Sequence, residues 1–536
     1  MKKLQYSPAS ATENEAEIPA EFPEIDHIGL HTLAIYFILS MPLILSAARG
    51  LSYVFTTGKV SYRFACLVPE CENPMNTTLS PSWLSNAVPY ADGEPEICTR
   101  FIVKNSTDSC STTIFTNETE SCDAWVYGPE ELTILNEWDL TCDNNLWKLT
   151  LPGTMNNVGQ FIGLVISGHL SDKYGRRKLI VFCTTISSIF GLIRSFSIKY
   201  EMFIVFEILD SMAGSAVYSA VFVLGMELVG PKKRTLASSL TGSLYVVYAI
   251  FLGLFAKWLR SWRLLLRVFY TPGLLAIFML CVVPESVRWL QSKGRLEEAE
   301  KVLRKIAARN NVTVSETSIM TIRNSEVIRN KTILLRLIIC AFCWVANTFV
   351  YYGLSLRSVA VPGDKYINFI LVTSVEIPAY FASWILAENL GRRRTLSITY
   401  GLCGIFCIIT IFVPTDWWYL PLIVFVVGKF CISIAYNVVY VFTTEMFPTQ
   451  IRHFLLSVCS MVGRIGSMLA PQMPLLANYM PSLPLLSFGV MAVIASLISL
   501  KFPETSGVRL PDTVFEAENI GKLKKEDQRL DLTEPT

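Results

Sequence analysis

The sequence predicts an all-α membrane protein of twelve transmembrane helices in two pseudo-symmetric halves of six, with a large disulfide-rich extracellular loop after the first helix. Three observations lead there. Of the 536 residues, 52% are hydrophobic and only 17% are charged, against roughly 25% charged in soluble domains. Apolar runs of about 20 residues, the length that crosses a bilayer, follow one another along the chain. Three polar motifs recur at nearly one offset. Gly175-Arg176-Arg177-Lys178 and Gly391-Arg392-Arg393-Arg394 lie 216 residues apart. Glu227 with Arg234 and Glu445 with Arg452 lie 218 apart, and Pro284-Glu285-Ser286 and Pro503-Glu504-Thr505 lie 219 apart.

Taken in order, residues 1–28 form a polar, acidic tail without the charged, apolar and small-residue pattern of a cleaved signal peptide. The first half occupies 29–283, with spans expected at 29–55, 149–170, 178–196, 202–226, 235–257 and 264–283. Its loop, 56–148, separates the first two spans. A basic linker at 284–331 precedes the second half, 332–503, with spans at 332–355, 366–387, 395–413, 417–444, 454–478 and 484–502. Residues 504–536 form the second tail. Cationic loops mark the cytoplasmic side of a membrane protein. Lys173 to Lys178, Lys232-Lys233-Arg234, Arg392-Arg393-Arg394 and Arg288 to Lys331 all fall on one side, together with both termini. Both termini are therefore expected in the cytoplasm. One cluster, Lys257, Arg260, Arg263 and Arg267, falls on the opposite side and is expected to attract anionic groups.

The 56–148 loop carries Cys66, Cys71, Cys98, Cys110, Cys122 and Cys142. An even number in an extracellular segment reads as up to three disulfides, with fifteen pairings open. The sequons at Asn76, Asn105 and Asn117 lie in the same loop and are expected to carry glycans. Those at Asn311 and Asn330 fall inside and are expected to stay bare. The other eight cysteines are expected to pack as small apolar residues.

Ionisable groups at membrane depth are costly and mark function or internal ion pairs. Near mid-span stand Glu207, Asp210, Glu376, Lys429 and Arg464. Glu376 suits an ammonium group. Arg464 offers a planar fork suited to a carboxylate. Lys429 is a candidate partner of Glu376. Glu207 and Asp210 lie one turn apart. Trp344 and Tyr351, seven residues apart, fall two turns apart on one helix face and can hold a quaternary ammonium by cation–π attraction.

The motifs resemble those of the organic cation, carnitine and organic anion transporter family of the major facilitator superfamily. The run Gly168 to Lys178 is similar to the superfamily's loop between helices 2 and 3. Pro284-Glu285-Ser286-Val287-Arg288-Trp289-Leu290, Glu445-Met446-Phe447-Pro448-Thr449-Gln450-Ile451-Arg452 and Leu510-Pro511-Asp512-Thr513 are similar to family motifs. The likeness covers nearly the whole chain except its first 28 and last 20 residues. It implies the major facilitator fold and a cytoplasmic charge latch made with helix 11. Asp172, Arg176, Glu227, Arg234, Arg392, Glu445 and Arg452 are its candidate members. It also implies a binding cavity lined by Glu376, Arg464, Lys429, Trp344, Tyr351, Tyr218, Phe222 and Asn157. Tyr218 departs from the Trp of cation-transporting members, and Arg464 from their Asp.

The expected activity is alternating-access transport of a small organic cation or zwitterion, carnitine-like or betaine-like. An organic anion exchanger and a non-transporting receptor-like member are the alternatives. No Walker-type phosphate loop is present and only four His occur, so no enzyme or ATP-driven pump is expected. No cofactor is expected, and a coupling ion, Na⁺ or H⁺, is left open. The expected setting is the plasma membrane, as a monomer in lipid. With a net charge of +2 the chain shows no bias toward nucleic acid.

Overall fold

The structure is a computed structural model. It describes most of residues 30–520. Outside it lie 1–29, 305–330, 521–536 and shorter stretches, the longer being 72–80, 105–109, 228–233, 414–418, 448–451, 506–510 and 512–516.

Each expected span coincides with a helical segment. In chain order, α1 comprises Leu30–Ser40, Pro42–Leu51 and Tyr53–Thr56. Next come α2 (Leu146–Tyr174), α3 (Arg176–Arg194), α4 (Tyr200–Glu227), α5 (Arg234–Leu259) and α6 (Trp262–Val282). The second half holds α7 (Lys331–Arg357), α8 (Lys365–Leu390), α9 (Arg392–Phe412) and α10 (Tyr419–Met446). It ends with α11 (Arg452–Leu469, extended to Ala477) and α12 (Leu483–Ser499). Among the described residues eight of these, α1 and α4 to α10, are long and apolar enough to cross a membrane. Prolines set two of the interruptions. Pro42 follows the break in α1, and Pro272 opens a 3₁₀ stretch, Thr271–Phe278, inside α6. A proline supplies no N–H to the carbonyl four residues earlier, so the helical ladder opens there.

Two separate hydrophobic cores form. One is built from residues of α1 to α6, and the other from α7 to α12 with Ala517 and Ile520. Tyr366 and Phe369 at the start of α8 cross over and pack into the first core. There Phe55 stacks on Tyr366 at 5.6 Å and meets Phe369 edge-on at 4.9 Å.

This junction lies at the end of the bundle that carries the 57–145 segment, here called the loop end. Other ties between the halves lie there too. The Gln472 amide donates to Thr154, and Thr154 donates to the Met468 carbonyl at 3.2 Å. Lys257 Nζ lies 3.0 Å from Asp364 Oδ2. Lys365 pairs with Glu131, which also accepts from the Tyr366 hydroxyl at 3.0 Å. Burial pushes the Asp364 carboxyl up. The bond from Lys257 and the α8 N–H groups of Ile367 and Tyr366 outweigh it and hold the group below its ordinary range.

The loop adds short strands that the sequence did not signal. Among the described residues they form three two-stranded antiparallel sheets: β1 (Tyr62–Cys66) with β6 (Trp125–Tyr127), β2 (Tyr90–Ala91) with β3 (Glu94–Pro95), and β4 (Thr99–Val103) with β5 (Phe115–Ser121). Cys71 bonds to Cys110 and Cys98 to Cys142. Cys122 is also disulfide-bonded, while the Cys66 side chain lies outside the described residues. Asn117 is exposed on β5, whereas Asn76 and Asn105 lie outside the described residues. The segment before α2 is pinned to the first half. Glu137 accepts from Trp262 Nε1 at 2.7 Å and from Arg263 Nε at 3.0 Å.

The opposite end, here the motif end, shows what the repeated motifs do locally. Gly175 and Gly391 adopt φ of 94° and 89° and open α3 and α9. The Glu285 carboxylate accepts the backbone N–H groups of Arg176 and Arg177 at 2.9 and 3.1 Å. Glu504 does the same for Arg392 and Arg393 at 2.7 and 3.2 Å. A helix N-terminus presents orphan N–H groups and positive charge. Each glutamate satisfies both needs from 109 or 112 residues away in sequence. A Cβ on Gly391 would stand within 2.7–3.0 Å of the Glu504 carboxylate. Glu285→Ala and Glu504→Ala are therefore expected to cost the usual value of a cap, about 0.5–2 kcal/mol each. Gly391→Ala should lower the detergent melting temperature more than Gly428→Ala, whose Cβ would meet only ordinary contacts of 3.6–4.0 Å. Equal effects of the two alanines would refute the capping account.

Candidate functional site

Pro378 lacks the N–H that would bond the Ser374 carbonyl, so α8 is interrupted at Val375. The interruption puts Glu376 at the start of the second piece, 3% exposed. Its Oε1 lies 2.9 Å from Lys429 Nζ on α10, and its Oε2 accepts from the Tyr351 hydroxyl on α7 at 2.6 Å. Lys429, fully buried, also donates to Ser355 Oγ at 2.7 Å and to the Tyr351 carbonyl at 3.3 Å. The ammonium sits over the Tyr351 ring, 3.3 Å from its centroid. Two residues singled out for substrate thus hold each other in an internal ion pair, braced by a third.

Around this pair runs a continuous aromatic array. Tyr351 touches Tyr352 at 5.3 Å and Tyr436 at 4.8 Å. Tyr436 touches Tyr440 at 5.5 Å, and Tyr440 meets Trp344 at 4.4 Å. The array crosses between the halves where Phe222 on α4 lies 6.1 Å from Tyr440. Phe222 continues to Tyr218 at 6.4 Å, and Tyr218 to Tyr245 on α5 at 5.6 Å. The Arg464 guanidinium on α11 stands near the hydroxyls of Tyr352, Tyr436 and Tyr440. Among the described residues no carboxylate pairs with it.

A second charge cluster fills the first half. Arg194, fully buried on α3, contacts Glu207 directly, lies 3.6 Å from Asp210 and donates to the Tyr270 hydroxyl at 3.1 Å. Tyr270 and Ser187 donate to Asp210, and Asn156 donates to Glu207 at 2.6 Å. Glu207 and Asp210 are thus satisfied internally, by a cation that sequence reasoning missed because Arg194 falls at the edge of its span. Asn157, 3% exposed, donates to the Gly153 carbonyl on its own helix at 2.8 Å, while its neighbour Asn156, turned by about 100° on the helix, joins the cluster.

The loop-end basic cluster does not stand free for anions as expected. Lys257 pairs with Asp364 and Arg263 with Glu137, while Arg267 lies over the Phe196 ring at 4.2 Å. Of the latch candidates, Arg392 Nε pairs with Glu445 at 3.2 Å, and Glu445 also accepts from Thr505 at 2.7 Å. Arg176 uses its N–H on Glu285. The side chains of Asp172, Glu227, Arg234 and Arg452 lie outside the described residues. A cavity of about 250 Å³ at the motif end, lined by Tyr174, Arg177, Lys178, Glu285 and Trp289, shares none of the central residues.

The Glu376–Lys429 pair allows a direct check. Lys429→Met should strand a buried carboxylate and cost about 3–5 kcal/mol, and adding Glu376→Gln should recover most of it. Melting in detergent reads this. A double variant as unstable as the single one would rule out the pair as the main partner.

Residues 98–513 match the model of the family described as "Sugar (and other) transporter". The chain is 33% identical to Organic cation/carnitine transporter 2 of Rattus norvegicus, over 92% of this chain and 92% of that protein. It is 32% identical to the same transporter of Homo sapiens, over 91% of this chain and 92% of that protein. It is 30% identical to the Organic cation transporter protein of Drosophila melanogaster, over 93% and 94%. Among solved structures, the proton:xylose symporter XylE bound to 6-bromo-6-deoxy-D-glucose is similar in fold, with a TM-score of 0.59 at 16% identity. That match covers 92% of this chain and 99% of XylE.

Proposed function

We propose that this chain, which belongs to the sugar (and other) transporter family of the major facilitator superfamily and within it to the organic cation/carnitine transporters, carries small organic cations and carnitine-type zwitterions across a membrane. The observation that carries the reading is the juxtaposition of Glu376, with its tethered cation Lys429, and Arg464 among aromatic rings from both halves.

In the resting site Lys429 neutralises Glu376, so the buried carboxylate is not left unpaired. A substrate ammonium competes with Lys429 for that carboxylate and gains cation–π attraction from Tyr351, Tyr436, Tyr440 and Trp344. A carboxylate at the substrate's other end meets the Arg464 fork. Phe222 and Tyr218 supply the first half's wall, with Asn157 behind them. Substrate binding at the junction of the two halves is what alternating access requires.

The wider arrangement belongs to the same proposal. All twelve helices cross the bilayer, with both termini and the motif end in the cytoplasm and the 56–148 loop outside, at the plasma membrane. That loop carries three disulfides, Cys66 included, and glycans at Asn76, Asn105 and Asn117. Asp172, Arg176, Glu227, Arg234, Arg392, Glu445 and Arg452 form the cytoplasmic latch. The carrier works as a monomer without a cofactor, and Na⁺ or H⁺ is the candidate coupling ion.

One observation favours organic anion exchange as a second reading: Lys429 already occupies Glu376, while Arg464 has no carboxylate among the described residues. Uptake into proteoliposomes separates the two. Labelled carnitine, a betaine, a monoamine and a dicarboxylate are supplied with and without a Na⁺ gradient. Carnitine and the betaine should enter, and Glu376→Gln should abolish their uptake. Arg464→Gln should spare the monoamine and impair the zwitterions. Uptake of the dicarboxylate alone, indifferent to Glu376→Gln, would replace the first reading by the second.

A further inference from the structure

The motif-end cavity lies where α2 gives way to α3 and α6 gives way to the linker, away from the central cluster. Its volume of about 250 Å³ falls below the roughly 300–1,000 Å³ of pockets for drug-sized ligands. It suits a small charged headgroup better than a whole organic solute.

Among the described residues, three cations and two carboxylates line it: Arg177, Lys178 and Arg295 with Glu285 and Glu298. Both carboxylates are already engaged. Glu285 caps α3, where the helix N-terminus offsets its charge. Glu298 accepts from Arg295 Nε and Nη2 at 2.9 and 2.6 Å. Arg177 and Lys178 remain, and among the described residues no carboxylate pairs with either. Arg177 Nη1 donates to the Leu280 and Val283 carbonyls at the end of α6, at 3.2 and 3.4 Å. Those bonds fix the guanidinium at the cavity wall without supplying a counter-charge. Lys178, the next residue, is exposed.

Two apolar faces run up from these cations. Phe182 lies one turn beyond Lys178 on the same face of α3 and is 61% exposed. On α6, Leu275 and Phe278 are three residues apart within the 3₁₀ stretch, so they eclipse, and Phe278 is 66% exposed. Exposed Val282 continues that face to the cavity rim. The 3₁₀ stretch packs against α3, so the two faces are neighbours. In a bilayer they meet acyl chains, while the cations stand at the level of the headgroups.

We propose that this cavity binds an anionic phospholipid, with the phosphate held by Arg177 and Lys178 and the acyl chains lying on the exposed faces of α3 and α6. Charge-assisted contacts to phosphate hold the head, and basic pockets beside membrane helices suit such heads. A soluble phosphate would use the cations and leave both apolar faces idle. Because Arg177 belongs to the turn that Glu285 caps, an occupied site braces the junction of α3 with the linker. Such a site depends on the first half lying in a bilayer and not on what the central cluster carries.

The full-length protein in a neutral detergent tests this. Its melting temperature is followed with phosphatidylglycerol, with phosphatidylcholine and with inorganic phosphate. Phosphatidylglycerol should raise it saturably, as a ligand of the folded state does, and the other two should not. Lys178→Gln should move half-saturation to about fivefold more phosphatidylglycerol, the loss of one cation near a phosphate. Lys178→Arg should keep the original value. Arg394→Gln removes an exposed cation from the equivalent turn of the second half and should change nothing. A second readout needs no variant. Cys281 lines the cavity and is exposed, whereas the other described free cysteines are buried. Phosphatidylglycerol should slow its reaction with a water-soluble maleimide several-fold, and phosphatidylcholine should not. Equal melting responses to the two lipids, or to phosphatidylglycerol and phosphate, overturn the anionic lipid. Equal losses in Lys178→Gln and Arg394→Gln replace the site by diffuse surface attraction. A maleimide rate indifferent to phosphatidylglycerol overturns the location.

Discussion

Charge buried in an apolar slab has to be neutralised where it lies, and that constraint organises this protein. Each half neutralises its buried carboxylates internally. In the first, Arg194 binds Glu207 and Asp210 across α3 and α4, with Tyr270, Ser187 and Asn156 filling the remaining hydrogen-bonding capacity. In the second, Lys429 binds Glu376 across α10 and α8, with Tyr351 and Ser355 in the same supporting role. A buried pair gains little over apolar packing but is costly to break by removing one partner. Such clusters therefore lock the helices that carry them into one arrangement. Each half is thus held together by its own ion cluster as well as by its own core.

The motif end repeats one device in both halves. A glycine at positive φ turns the chain, the next helix starts at once, and a glutamate from a distant Pro-Glu segment caps it. In the second half, Arg392 and Glu445 extend the device into a small ion cluster with Thr505. The duplication explains why the Gly-Arg-Arg and Pro-Glu motifs share almost one offset: they are the contacting elements of one capped turn, made twice.

What the sequence made legible follows from how conspicuous each residue is against its surroundings. Glu376, Lys429 and Arg464 stand alone in long apolar runs, and the structure brings all three to the centre. Trp344 and Tyr351 share a helix face by simple periodicity, and both join the aromatic array. Arg194 was missed because it lies at the end of its span, where a cation reads as an interface residue. Tyr436 and Tyr440 were missed because tyrosine in an apolar helix is unremarkable, although their spacing of four places them on one face. Glu285 and Glu504 were seen as repeats and not as caps, because a cap contributed from across the fold has no local signature. The disulfide partners, with Cα atoms 5.7 Å apart in both described bridges, depend on loop geometry that spacing alone does not encode.

The distribution of ties decides where the protein can move. The strong ionic clusters lie inside the halves. Between the halves, the described contacts are aromatic edges such as Phe222 on Tyr440, neutral hydrogen bonds such as Thr154 with Gln472, and partly exposed pairs such as Lys257 with Asp364. The last kind is worth only about 0–1 kcal/mol. Each aromatic pair adds only about 0.5–1.5 kcal/mol beyond the area it buries. The loop end is thus closed by several small interactions that can break in succession, while each half keeps its own ion pairs. Arg464, on α11, stands among tyrosines beside this boundary without a carboxylate of its own among the described residues. Among the described residues, the boundary between the halves is thus held more weakly than either half is held within itself.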